Sequence, residues 1–162
     1  SGRRFTKADL RGMWLNFTKW AWNVNWLTFD DPKVFVPRGK KEQSVDEKAV
    51  VKLCREVLVD NVRGQTSTWR REHVKSAELR MQRTKFSNGR ITIEYTGRAL
   101  MDSGAQKYDP TLFGRAVWNT RKRKFESFEL LAIGERAGKG SFNQRERDPG
   151  PAPMGIALVL QR

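Results

Sequence analysis

Apolar residues in the first part of the chain recur with the helical period of about 3.6. Two such stripes predict helices over residues 7–27 and 45–61. The run Ser44-Val-Asp-Glu47 before the second stripe is a capping box, because Ser44 can accept from the amide of Glu47. The residues between the two helices predict a loop that contains a short extended piece from Val34 to Val36.

The first predicted helix is rich in tryptophan and has two apolar faces. Three of the six tryptophans lie within residues 20–26, and Trp22 and Trp26 fall on the face opposite the main apolar stripe. The helix is either sandwiched between layers or presents this pair to solvent. A third alternative ends the helix near Trp20 and continues as a strand, which again places Trp22 beside Trp26. Buried packing and an exposed aromatic surface both remain open, and we name the pair as candidate ligand-binding residues.

The pattern changes to period two after residue 73, where polar and apolar residues alternate. Asn88-Gly89 separates the first two predicted strands and indicates a hairpin turn. A three-residue loop pairs Met81 with Tyr95 and sets Glu78 opposite Arg98, a favourable charge pair. A two-residue loop would instead pair apolar with polar side chains, so we predict the bulged three-residue loop.

Further strands are predicted over residues 112–118, 125–133 and 154–160. A basic turn at 119–124 and a Gly- and Pro-rich loop at 138–153 join them. The fold class is therefore α+β, with two N-terminal helices packed on an antiparallel meander of five or more strands. The sheet is either curled or closed into a barrel-like form.

The length of 162 residues suits a single domain that buries roughly 70% of its unfolded surface. We expect one domain over 1–162, with a helical front at 1–62 and an antiparallel sheet at 73–162. No apolar run is long enough to span a bilayer, so a soluble protein is expected. The sequence starts Ser-Gly and leaves location open; an extracytoplasmic domain with its leader removed is one alternative. Oligomeric state is not indicated.

Charge is the strongest compositional signal. Lys and Arg number 32 against 18 Asp and Glu, which gives a formal net charge of +14. Residues 1–81 carry 17 basic and 10 acidic side chains and residues 82–162 carry 15 and 8, so each half has a charge of +7. This even spread fits either a highly charged surface in general or the footprint of a polyanion.

Five basic residues are the candidates for contact with an anion. Arg121 and Lys122 lie in the predicted turn at 119–124, and Arg136, Lys139 and Arg145 lie in or beside the Gly- and Pro-rich loop. The glycines of that loop do not have the spacing of a phosphate-binding loop, so nucleotide binding of that type is not predicted.

Little in the sequence points to catalysis. Cys54 is the only cysteine and lies within the apolar stripe of the second helix, so we expect it in the core. His73 is the only histidine, which excludes a multi-histidine metal site. No metal or cofactor is predicted. An enzyme that uses carboxylates with His73 stays as an alternative, although the sequence favours a protein without catalytic activity.

The leading hypothesis is a non-catalytic binding domain that engages an anionic polymer or surface through Arg and Lys. The sequence does not distinguish polysaccharide from nucleic acid, because both bind well to cations that lie beside flat aromatic faces. The alternative from another class is a protein-interaction or structural domain that docks a partner through a tryptophan-rich face.

Overall fold

The computed structural model describes residues 27–64, 66–140 and 142–160. The first predicted helix, over residues 7–27, lies outside the described residues except for Leu27, which is not helical. Trp22 and Trp26 also lie outside them. The predictions of a first helix and of an aromatic pair therefore stay predictions.

In the part of the chain that the structure describes, six antiparallel strands form one sheet in which each strand pairs with its neighbours in sequence. The strands predicted from the alternating pattern are present, and those at 112–118 and 125–133 extend further at both ends. The antiparallel meander is thus confirmed. The strands are β1 (Gln43–Ser44), β2 (Val74–Ser87), β3 (Arg90–Asp102), β4 (Gln106–Asn119), β5 (Lys124–Gly138) and β6 (Ala152–Val159).

The sheet is open, so the barrel-like alternative is wrong. Closure requires the first and last strands to pair. Here β1 has only two residues and pairs with β2, whereas β6 pairs with β5. Within the described residues, the two ends of the sheet are therefore separate edges.

The β2–β3 hairpin has the predicted register, but the turn and the position of the extra residue differ from the prediction. Met81 pairs with Tyr95 and Glu78 with Arg98, as predicted. The loop itself is a two-residue turn, with positive φ at both Asn88 and Gly89, so the three-residue loop is wrong. The extra residue lies further along β2, where the pairing shifts by one residue at Thr84.

One α-helix, α1 (Glu47–Val57), is present in the described residues, where a longer helix over 45–61 was predicted. Asp46 caps its N-terminus by accepting from the Ala49 amide at 3.1 Å. Ser44 does not cap the helix, because it lies in β1, two residues before the N-cap residue Asp46. No helix in the described part of the chain has the length and apolar character needed to cross a bilayer.

The C-terminal end of α1 is set by Trp69. Its amide donates to the Arg55 carbonyl at 3.0 Å and its indole donates to the Leu58 carbonyl at 2.7 Å. Trp69 thereby supplies hydrogen-bond donors to two carbonyls at the end of the helix. The apolar stripe of α1 packs on the sheet and contains Cys54, which is buried as predicted. Burial raises the pKa of the Cys54 thiol to about 12, so the reactive thiolate is strongly disfavoured.

A 3₁₀ turn over Pro32–Phe35 replaces the extended piece predicted at Val34 to Val36. Asp31 caps this turn by accepting from the Lys33 amide at 2.9 Å, and Pro32 at the first position favours the helical φ. Phe35 is buried, and the hydroxyl of Tyr95 in β3 donates to its carbonyl at 2.7 Å. The turn is thereby fixed on the face of the sheet that α1 also covers, which we call the inner face.

The opposite face of the sheet carries polar side chains interrupted by a short apolar row. Thr96, Phe113, Leu131 and Ala157 lie side by side on four successive strands. Phe113 is 40% exposed, and Leu131 is also exposed. This outer face has no described element over it.

Candidate functional site

Two hairpin turns meet at one end of the sheet. The backbone N–H and the hydroxyl of Thr120 both donate to the Gly89 carbonyl, each at 2.9 Å. This contact ties the β4–β5 turn to the β2–β3 turn. Asn119 shapes the β4–β5 turn, because its side-chain oxygen accepts from the amides of Arg121 and Lys122 at 3.0 and 2.9 Å.

The β4–β5 turn holds its basic side chains in solvent. Arg121, Lys122 and Arg123 are all exposed, and Arg123 has a φ of 50°. The nearby carboxylate of Glu126 is bound by Arg90 at 2.6 Å and by the Asn119 amide at 2.7 Å. These two hydrogen bonds, together with the charges of Arg90 and Lys122, lower the pKa of Glu126 and keep it ionised.

A groove of about 550 Å³ lies between this turn and the Pro32–Phe35 turn. Lys33 and Arg38 line one wall, and Arg123 lines the other. No carboxylate within the described residues forms a salt bridge with any of these three side chains. The one acidic residue of the lining, Asp31, uses a carboxylate oxygen to cap the 3₁₀ turn. We refer to Lys33, Arg38, Arg123, Trp118 and Thr120 as the basic groove.

Trp118 forms part of the floor of the basic groove. It is only 5% exposed and packs edge to face against Phe125 with ring centroids 4.9 Å apart. Its position as a packed floor residue means that Trp118 is not a protruding platform for stacking. The groove therefore combines an apolar base with cationic walls.

Arg136 and Arg145, two of the predicted contact residues, are buried in a cluster of ion pairs. Both side chains are only 5% exposed. Arg145 makes a two-pronged contact with Asp60 at 2.8 and 2.9 Å and donates to Asp148 at 2.9 Å. Arg136 donates to the carboxylate and to the backbone carbonyl of Asp148, both at 2.7 Å.

Arg63 completes this group, with its guanidinium 3.2 Å from Asp148. We call Asp60, Arg63, Arg136, Arg145 and Asp148 the ion cluster. Burial raises the pKa of Asp148, but hydrogen bonds and charge from Arg136, together with Arg63 and Arg145, outweigh it and lower the pKa overall. The cluster ties the segment after α1 to the loop between β5 and β6.

The other predicted residues are spread over the molecule. Arg121 and Lys122 are exposed beside the basic groove, whereas Lys139 is exposed just after β5, at the opposite end of the sheet. The structure thus brings Arg121 and Lys122 together and separates them from Lys139, Arg136 and Arg145.

Sequence reasoning missed Lys33, Arg38 and Arg123 as residues of one groove. Lys33 and Arg38 lie in a loop whose position over the sheet has no local signal. One signal was available for Arg136, because it has the same parity along β5 as Leu130 and Ala132, which face the core. That parity indicates a buried and therefore paired arginine.

Other reactive groups in the described residues do not assemble into a site. No group of three or more His, Cys, Asp or Glu is placed to hold a metal ion within this part of the chain. His73 is half-buried against Trp69, and its Nδ1 accepts from the Arg70 amide at 3.4 Å. No protein-family model, curated protein or solved structure matches this chain.

Proposed function

We propose that this protein is a non-catalytic binding domain for an anionic polymer, and that the polymer binds in the basic groove. The supporting observation is that Lys33, Arg38 and Arg123 surround one groove without an ion-pair partner among the described residues. An unpaired cation gains more from an incoming phosphate or sulfate than a cation that already holds a carboxylate.

The exposed turn next to the groove extends the cationic surface. Arg121 and Lys122 precede Arg123 in sequence, and their side chains are exposed. A polymer in the groove therefore meets further cations along its backbone, which favours a chain of repeated negative charges over a single small anion. Arg136 and Arg145 are left out of the proposal, because Asp60 and Asp148 already engage their guanidinium groups.

The test is a comparison of two variants that each lose three positive charges. The groove variant is K33Q/R38Q/R123N, in which Asn suits the positive φ at residue 123. The control is K48Q/K75Q/K107Q, which removes three exposed lysines outside the groove. Binding to labelled heparin and to a labelled single-stranded oligonucleotide is measured by anisotropy at about 50 and about 200 mM salt.

We expect the groove variant to lose at least about tenfold in affinity at the lower salt concentration, because it loses specific phosphate or sulfate contacts. For the single-stranded oligonucleotide, the slope of log affinity against log salt concentration should become less negative by about two. The control should show a much smaller loss. Equal losses in the two variants would mean that net charge rather than the groove drives binding. Absence of binding to either polymer at low salt would refute the proposed function.

A further inference from the structure

An exposed aromatic ring lies on the inner face at the same end of the sheet as the basic groove. Phe86, near the end of β2, is 60% exposed. It pairs with Ile91 in β3, which pairs with Trp118 in β4. Directly paired residues point to the same face of a sheet. Phe86, Ile91 and Trp118 therefore form one row of residues on the inner face, and this row ends at the floor of the groove.

The bulge at Thr84 places Phe86 on this face. Met81 and Arg83 pair with inward-facing residues of β3, so strict alternation would turn Phe86 to the outer face. The register shift between Arg83 and Lys85 reverses the alternation, so that Phe86 pairs with the buried Ile91. A bulge that re-aims one side chain beside a site is a recurrent device in binding proteins.

The spacing between this ring and the groove suits a chain of nucleotides. Phe86 and Trp118 lie two strands apart, which corresponds to about 10 Å at the usual spacing between strands. Arg83 lies further along the same face of β2 and is half-buried. An aromatic face two strands away from the floor of a cationic groove, with Arg83 on the same face, can hold a base while the phosphates next to it lie in the groove.

We infer that the anionic polymer is a single-stranded nucleic acid, with a base stacked on Phe86 and phosphates in the basic groove. The inference rests on the proposed function and adds the ligand class. Unpaired bases stack face to face on an exposed ring, whereas the sugar rings of a sulfated polysaccharide offer it only C–H groups between charged substituents, and a duplex keeps its bases stacked inside. An exposed phenylalanine beside unpaired cations therefore favours the single strand.

The test uses Phe86→Ala with Phe113→Ala as the matched control. Phe113 is also an exposed phenylalanine on a strand, but it lies on the outer face. Both variants remove an exposed ring, so both should fold. A third variant, Phe86→Trp, keeps an aromatic face. Each protein is titrated with a thymidine oligonucleotide of about 12 nucleotides and with heparin at a fixed low salt concentration.

We expect Phe86→Ala to weaken oligonucleotide binding by about fivefold or more and to leave heparin binding unchanged. Phe86→Trp should retain oligonucleotide binding, and Phe113→Ala should alter neither ligand. If wild-type protein binds both polymers through the groove cations but Phe86→Ala has no effect, the inference is overturned and the proposed function stands. Preferential binding of heparin would also overturn the inference in favour of a polysaccharide. Binding of neither polymer would overturn both.

Discussion

The ion cluster and the basic groove both contain arginine, but they use it in opposite ways. In the ion cluster, Arg136 and Arg145 are almost fully buried and engage Asp60 and Asp148. In the basic groove, Arg38 and Arg123 are exposed and have no carboxylate partner among the described residues. A buried arginine without a partner would be too costly to keep. The pairing state of each guanidinium therefore separates arginines that hold the fold from those available to a ligand.

The fold also concentrates charge that the sequence distributes evenly. Each half of the sequence has a net charge of +7. The open meander nevertheless brings the loop that carries Lys33 and Arg38 against the β4–β5 turn that carries Arg123. The hydrogen bond from Tyr95 to the Phe35 carbonyl fixes one wall, and Asn119 shapes the other.

The largest expected effect comes from breaking the ion cluster. Arg145→Met leaves the Asp60 carboxylate buried without its two-pronged partner, which should cost about 3–5 kcal/mol of unfolding free energy. Urea unfolding measures this change. The fraction that remains folded should bind the polymer with unaltered affinity, because the basic groove is untouched.

Two controls sharpen that comparison. Arg123→Asn removes an exposed arginine and should change stability by no more than about 0.5 kcal/mol. The double variant Asp60→Leu with Arg145→Met removes both buried charges and should recover part of the lost stability. A double variant less stable than Arg145→Met alone would contradict a role based on charge pairing.

A smaller effect is expected from Tyr95→Phe. This change removes the donor to the Phe35 carbonyl and should cost about 1–3 kcal/mol. It should also weaken polymer binding, because the Pro32–Phe35 turn that carries one wall of the groove is loosened. Unfolding in urea and anisotropy titration measure the two effects.

Tyr108→Phe is the matched control for this change. The Tyr108 hydroxyl lies 2.9 Å from the Ala132 carbonyl and 3.2 Å from the Met154 carbonyl, away from the groove lining. Its loss should reduce stability by a similar amount without changing affinity. Equal loss of affinity in both variants would show that stability, rather than the wall of the groove, governs binding.

The last expected effect is confined to acid pH, where stability should depend on the ionisation of Asp148. The pKa of Asp148 is lowered in the folded protein from an ordinary value of 3.8. A carboxyl group with a depressed folded pKa contributes stability above its ordinary pKa, and this contribution is lost as pH falls through the folded value. Unfolding free energies of wild type and Asp148→Asn, measured from about pH 5 to about pH 2, should converge as pH falls. Parallel curves would mean that Asp148 does not contribute through its charge.

Local patterns in the sequence predict much of the sheet. Alternation of apolar residues predicts the pairing of Met81 with Tyr95, because a slip of one residue would expose the apolar face. The same register arises from a three-residue loop or from a two-residue turn with a bulge, so alternation alone does not locate the extra residue at Thr84. The open sheet was likewise not separable from a barrel, since strand patterning is the same in both.

The candidate site depends on contacts that no local pattern encodes. Asp60 and Arg145 are 85 positions apart, and one sequence gives no sign that they pair. Lys33 and Arg123 are also distant in sequence and line one groove only because the 3₁₀ turn packs on the inner face. The one local indication concerned Arg136, which alternates in phase with the core-facing residues of β5 and is therefore expected to be buried.

The most direct test of the central comparison is the reactivity of individual arginines with an arginine-selective dicarbonyl reagent, read by peptide mass spectrometry with and without bound oligonucleotide. We predict that Arg38 and Arg123 react in the free protein and are protected by the ligand, whereas Arg136 and Arg145 are unreactive in both states. Modification of Arg136 or Arg145 in the folded protein, or equal reactivity of Arg38 and Arg123 with and without ligand, would contradict the division between paired and available arginines.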